Sequence, residues 1–293
     1  MSRRAFLGAC AAFAAAAALP SPALAAASRP SRIHVAVRGS GPDVVLIHGL
    51  SASRGVWNST VAAMPGYRFH MVQILGFAGT AAGGNARGKV AAGVAEEIAR
   101  YIAANRLGRP AIVGHSMGGS IGMMLAARYP NQVGKVMVVD MVPAPARLSG
   151  APAVATRPLA RLLGGEIEGA DRLRRDLKGL IGRFGSTDWL ETNSDAGVVG
   201  RSLEELLSTD LTPELPRIAA PITVVYACPE PLKLSRPRID RFYAAAYARR
   251  PGTRLVGVAR SGHNVMHDQP AAFRAALKAF LAEPVSGRSR AGA

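Results

Sequence analysis

Two runs with no polar interruption, Val44-Val45-Leu46-Ile47 and Val136-Met137-Val138-Val139, limit the fold most. A strand with one face in water alternates apolar and polar residues, whereas a strand covered on both faces is apolar throughout. Segments with helical spacing lie between such runs. Residues 90–105 carry Val90, Val94, Ile98 and Ile102 four apart, the mark of an amphipathic helix. Further strands are predicted at 33–37, 67–75, 110–114, 222–227 and 254–258. Further helices are predicted at 54–64 with Trp57 turned inward, near 120–129, at 239–249 and at 270–281. Residues 38–42 (Arg-Gly-Ser-Gly-Pro) read as a hairpin-like turn between the first two strands. Alternating buried strands and helices imply an α/β fold, a doubly wound and mostly parallel sheet covered by helices. Ligands in such sheets bind beyond the carboxyl ends of the strands. His48, Ser116, Asp140, Glu230 and His263 all follow predicted strand ends.

One of those ends has a special composition. Ile112-Val113-Gly114-His115-Ser116-Met117-Gly118-Gly119-Ser120 reads as an apolar strand, a serine bracketed by glycines, then a helix beginning near Ser120. A serine on so tight a strand-to-helix turn stands clear of the sheet edge, and glycines two residues away on either side remove Cβ atoms that would collide. The helix that follows aims its first N–H groups toward that hydroxyl, where negative charge develops in acyl transfer.

The N-terminus reads as an address. Ser2-Arg3-Arg4-Ala5-Phe6-Leu7-Gly8 has the residue types and order of a twin-arginine export signal. An Ala-rich apolar stretch follows to Leu19, and Ala23-Leu24-Ala25 offers a small-x-small cleavage site. Residues 1–27 are therefore expected to be removed, leaving a periplasmic or secreted bacterial protein. The apolar stretch is shorter than the ~20 residues a spanning helix needs, so no transmembrane span is expected in the mature chain. Cys228 is then the one cysteine left, and no disulfide can form within the chain. No CxxC or His-rich cluster suggests a metal, and no cofactor is assigned. The net charge is +17, or about +15 without Arg3 and Arg4. The arginines are spread along the chain without a nucleic-acid motif, so no nucleic-acid partner is expected.

Residues 143–215 break the alternation. They are rich in Leu, Arg and acidic residues, with helical stretches expected at 172–181 and 200–207. So long a connection reads as a helical cap inserted over the sheet edge. The core is then 28–142 plus 216–283, and 284–293 is expected to be a disordered tail.

Over nearly its whole mature length the chain resembles the α/β-hydrolase superfamily. The resemblance is carried by His48-Gly49-Leu50, by Gly114-His115-Ser116-Met117-Gly118-Gly119, by Ala126-Ala127-Arg128-Tyr129-Pro130, and by residues 262–270, Gly-His-Asn-Val-Met-His-Asp-Gln-Pro. It implies the chain order nucleophile, acid, histidine. Ser116 would be the nucleophile and His263 the base, since a neutral imidazole can take the serine proton and return it to the leaving group. The backbone N–H groups of Leu50 and Met117 would form the oxyanion hole, and His48 would hold its loop. Two carboxylates compete for the third position. Glu230 follows strand 222–227, where the commoner arrangement has an Asp, and it stands between two prolines. Asp140 follows the strand after the nucleophile helix, as in the second arrangement. His115 and His267 are left as a packing residue and a helix-start residue.

These residues imply an exported serine hydrolase that cleaves a carboxylic ester through an acyl-enzyme. Its partner would be a small-molecule ester with an apolar portion; no substrate-binding residue can be named. Thioesterase, lactonase, acyltransferase and cofactor-free peroxidase chemistry use the same residues. A non-catalytic binding protein and a charge-driven binder of surface polymers are rivals of another class.

Overall fold

A computed structural model describes residues 30–146, 193–229 and 235–284. Seven strands form one sheet: β1 (Ile33–Arg38), β2 (Asp43–Ile47), β3 (Arg68–Ile74), β4 (Ala111–His115), β5 (Lys135–Val139), β6 (Ile222–Cys228) and β7 (Arg254–Ala259). Their order is β1-β3-β2-β4-β5-β6-β7, with β1 antiparallel to β3 and the other neighbours parallel. The period of two divides each central strand between the faces. Val45, Ile47, Ile112, Val136, Val138 and Val224 enter one core; Val44, Leu46, Val113, Met137, Val139 and Val225 enter the other. Both faces are thereby closed, as the uninterrupted apolar runs require.

Helices supply the covers. On the first face lie α2 (Ala91–Ala104), α3 (Met117–Arg128), α4 (Ala196–Ser208) and the tyrosines at the end of α5 (Arg236–Ala246). On the second, Trp57 stacks on Phe273 with ring centroids 6.2 Å apart, and Leu277 and Phe280 of α7 (Pro270–Ala282) fill the remaining space. The other α-helices among the described residues are α1 (Asn58–Ala62), after a 3₁₀ turn at Arg54–Trp57, and α6 (Val265–Asp268).

Two buried charges close helix ends across long sequence separations. Glu205 of α4 accepts from the N–H groups of Ala91 and Ala92 at 2.7 and 2.9 Å, so α4 caps α2 where α2 has no side-chain cap of its own. Lys135 at the start of β5 donates to the carbonyls of Phe280, Leu281 and Glu283, satisfying acceptors left over at the end of α7.

The hairpin reading of residues 33–47 is corrected. Strand β2 has parallel partners on both edges, β3 and β4, so it offers no edge to β1. The chain instead carries β1 past it to β3, pairing Ile33 with Ile74 and Arg38 with Phe69. Gly39 and Gly41 take positive φ (76° and 118°) in the connecting turn, against the carbonyls of Tyr67 and Gly66. Helix α3 begins at Met117 rather than near Ser120, α4 is longer at both ends than 200–207, and α5 runs Arg236–Ala246 rather than 239–249. Helix α6 is a further short turn ahead of the predicted helix at 270–281. The export signal, the predicted helix at 172–181 and the tail lie outside the described residues. Among the described residues no helix is long and apolar enough to cross a membrane.

Candidate active site

The turn from β4 to α3 places Ser116 at φ 53°, ψ −121°, a backbone region that side chains rarely occupy. Three glycines permit the close packing that holds it there. A Cβ on Gly114 would overlap the backbone of Gly118, and one on Gly118 would overlap the carbonyls of Ile47 and His48. A Cβ on Gly49 would lie 3.1 Å from that of Ser116. The serine turn and the loop after β2 are thus pressed together through missing side chains. The Cβ of Gly114→Ala would run into backbone atoms of Gly118 and Gly119, which have no flexible side chain to give way, so the turn must open. A loss of about 3 kcal/mol or more in urea unfolding is expected, because overpacking against rigid atoms sits at the costly end of its range.

His48, buried, fixes the loop after β2. The Ile74 N–H donates to its Nε2 at 3.0 Å, so Nε2 carries no proton. The proton is on Nδ1, which donates to the Gly49 carbonyl at 2.8 Å. Holding that carbonyl turns the N–H of the same peptide, that of Leu50, to the opposite side. Neither the Leu50 N–H nor the Met117 N–H has an acceptor among the described residues. Both belong to buried residues flanking Ser116, one in the loop and one at the first position of α3.

His263 follows β7 and reaches Asp140, which follows β5, with Nδ1 2.7 Å from Oδ2. Asp140 also has a positive φ of 50°. Its Oδ1 accepts from the Ala227 N–H at 2.9 Å and from the Tyr243 hydroxyl at 2.9 Å. Burial alone would raise the Asp140 carboxyl, but the hydrogen bond and charge of His263, with the donors Ala227 and Tyr243, hold it below the ordinary carboxylate value. The His263 loop is itself stapled, since Gly262 N–H donates to Asp268 Oδ2 at 2.8 Å.

His115, next to the serine, is more than packing. Its Nε2 donates to the His263 carbonyl at 2.9 Å, and the two rings lie 4.7 Å apart. A carbonyl only accepts, so His115 carries its proton on Nε2. This contact seats His263 against the serine turn. The sequence signal for it is faint, a histidine in a Gly-rich turn. His267 is exposed on α6. Residues 193–195 return over the same end of the sheet: Ser194 Oγ meets Ser51 Oγ at 3.0 Å and accepts from Ala78 N–H at 3.1 Å. Glu230, the second candidate acid, lies outside the described residues. Among the described residues no three His, Cys, Asp or Glu side chains gather as metal ligands do.

Burial lowers His48 to about 4 and His115 to about 3, from an ordinary 6.5. Below pH 6.5 the unfolded chain takes up protons on both rings that the folded chain refuses until far lower pH. Stability must therefore fall as pH drops from 6.5 toward 4. The thermal midpoint should follow, with a shallower fall in His115→Gln, whose amide keeps a donor without an ionisable ring. Equal slopes in the two proteins would contradict this assignment.

Comparison with known proteins agrees with the fold. The sequence pattern described as "Alpha/beta hydrolase family" matches residues 44–276. A pimeloyl-[acyl-carrier protein] methyl ester esterase of Aeromonas hydrophila subsp. hydrophila is 25% identical over 263 residues, covering 83% of this chain and 96% of the relative. A hydrolase from Pseudomonas aeruginosa PA01 superposes with a TM-score of 0.68 at 17% identity, over 86% of this chain and 94% of its own. The enol-lactonase from Burkholderia xenovorans LB400 superposes with a TM-score of 0.59 at 21% identity, over 86% and 96%. At such identities the two solved structures speak for the fold.

Proposed function

This chain belongs to the alpha/beta hydrolase family, and from that premise we propose that it is a serine hydrolase of carboxylic esters with Ser116, His263 and Asp140 as its triad. The observation that carries the reading is the 2.7 Å bond from His263 Nδ1 to Asp140 Oδ2, made by a histidine packed against the residue before Ser116. A carboxylate accepts only, so the proton of neutral His263 sits on Nδ1 and Nε2 is left as the base. Ser116 Oγ attacks the ester carbonyl as its proton passes to Nε2. The oxyanion is held by the Leu50 and Met117 N–H groups, which need no rearrangement to receive it. Collapse expels the alcohol, which takes the proton from His263 and leaves an acyl-Ser116. Water repeats the steps and releases the acid. Asp140 holds the ring and stabilises the imidazolium without taking its proton.

The similar pimeloyl-[acyl-carrier protein] methyl ester esterase supports a carboxylic ester as the substrate, with a methyl ester of an acyl group the first to try. The Leu-rich segment 143–215, read as a cap, would shape a pocket for an apolar acyl portion. The twin-arginine pattern of residues 2–8 supports a periplasmic or secreted location, so the substrate would be met outside the cytoplasm. The test is a panel of p-nitrophenyl esters from acetate to laurate, a fatty-acid methyl ester and an acyl lactone, given to the chain lacking residues 1–27. Turnover with a chain-length optimum is expected. No hydrolysis of any of them would end the esterase reading.

A further inference from the structure

Tyr243 belongs to α5, a helix that carries none of the motifs. Its hydroxyl is buried and donates to Asp140 Oδ1, the oxygen that does not face His263. Its ring lies on that of Tyr226, centroids 4.1 Å apart and planes 18° from parallel. Tyr226 is fixed in turn, its hydroxyl donating to Asp240 Oδ1 at 2.6 Å, an oxygen that also receives Arg236 Nε at 2.8 Å. Tyr243 is thus held both by its ring and by its hydroxyl. We propose that Tyr243 is a positioning residue for the acid of the triad: its hydroxyl and the Ala227 N–H together engage Oδ1, fix the rotation of the carboxylate, and leave Oδ2 alone for His263. The inference rests on the triad reading given above.

A carboxylate taken out of water keeps its charge only if donors replace the water. Among the described residues Asp140 has three: His263, the Ala227 backbone and Tyr243. Of the two on Oδ1, only Tyr243 can be removed by substitution of a side chain. Without it the carboxylate loses a charge-assisted bond and becomes more basic, so it draws the His263 proton more strongly and can rotate about its own axis. Among the described residues, other titratable groups within electrostatic reach of the pair are His115 of β4, Cys228 of β6, Tyr247 at the end of α5 and, through His115, His267 of α6.

Tyr243→Phe keeps the ring, the stack and nearly all the volume. Its kcat should fall about tenfold with KM little changed, as expected when a group acts on the transition state through another residue. The acid limb of its kcat/KM profile should move up by about half a pH unit, the direction set by a more basic carboxylate. Tyr226→Phe, which keeps the stack and removes a hydroxyl bonded to Asp240 rather than to Asp140, serves as the comparison and should leave the limb in place. A readout independent of turnover is the downfield proton resonance of the His263 Nδ1–H bond, identified by its loss in His263→Gln. It should lie further downfield in Tyr243→Phe. If resonance and limb stay where the wild type and Tyr226→Phe have them, Tyr243 only packs, and the proposal is overturned. A moved resonance in a protein that hydrolyses nothing would support the positioning and fault the esterase reading instead.

Discussion

Ser116→Ala should lower kcat/KM for any ester the protein turns over by roughly 10⁴- to 10⁶-fold, the range seen when a serine nucleophile is removed from such a unit. The size follows from the division of labour. His48 and the glycine contacts hold the loop and helix start whose N–H groups are the proposed oxyanion donors, and His115 seats His263. None of these needs the Ser116 hydroxyl, so the remaining site binds substrate with nothing to attack it. The same residue bears a local cost. At φ 53°, ψ −121° a side chain is strained by about 1–3 kcal/mol, and glycine is not. Ser116→Gly should therefore be inactive yet melt above the wild type, while Ser116→Ala melts close to it. An inactive Ser116→Gly that melts lower would mean that the strain is not where the backbone places it.

Asp140→Asn should cost about 10⁴-fold in kcat, and the reason is a tautomer. The Ala227 N–H can only donate, and it points at Oδ1 together with Tyr243. An amide must therefore put its oxygen at the Oδ1 position and its NH₂ where Oδ2 meets His263. Facing a donor, Nδ1 gives up its proton, which moves to Nε2, and the base then has no lone pair for the serine. The loss should appear in kcat with KM nearly constant, measured from initial rates across the pH range. Retention of more than a tenth of the activity would remove Asp140 from the triad and return the question to Glu230.

The parallel core was legible because burial on both faces leaves a direct trace, the uninterrupted run seen in β2 and β5. The serine turn was legible because tight backbone approach demands glycine at 49, 114 and 118 whatever the rest of the chain does. Strand adjacency was not. Which strand lies beside β1 depends on which edges are already taken, and the turn at 38–42 has the same residues either way. The acid was ambiguous for a related reason. Asp140 and Glu230 both follow strands, and the preference for Asp140 gains its support from a contact across 123 residues of chain, not from local pattern. Tyr243 and Tyr247 stand four apart on the buried side of α5 and at its C-terminal end, a spacing that ordinary core tyrosines share, so their hydroxyls gave no sign of their targets. His115 was hidden by its chemistry, since a neutral imidazole donating to a backbone carbonyl looks in sequence like any buried ring.

The central claim is that Ser116 is a nucleophile activated by His263. It is tested most directly by treating the chain lacking residues 1–27 with a fluorophosphonate and locating the adduct by peptide mass spectrometry. One adduct per chain on Ser116 is predicted, absent from Ser116→Ala and slowed by orders of magnitude in His263→Ala, with ester hydrolysis lost in step. An unlabelled Ser116 in a protein that still hydrolyses esters, or labelling that survives His263→Ala undiminished, would contradict it.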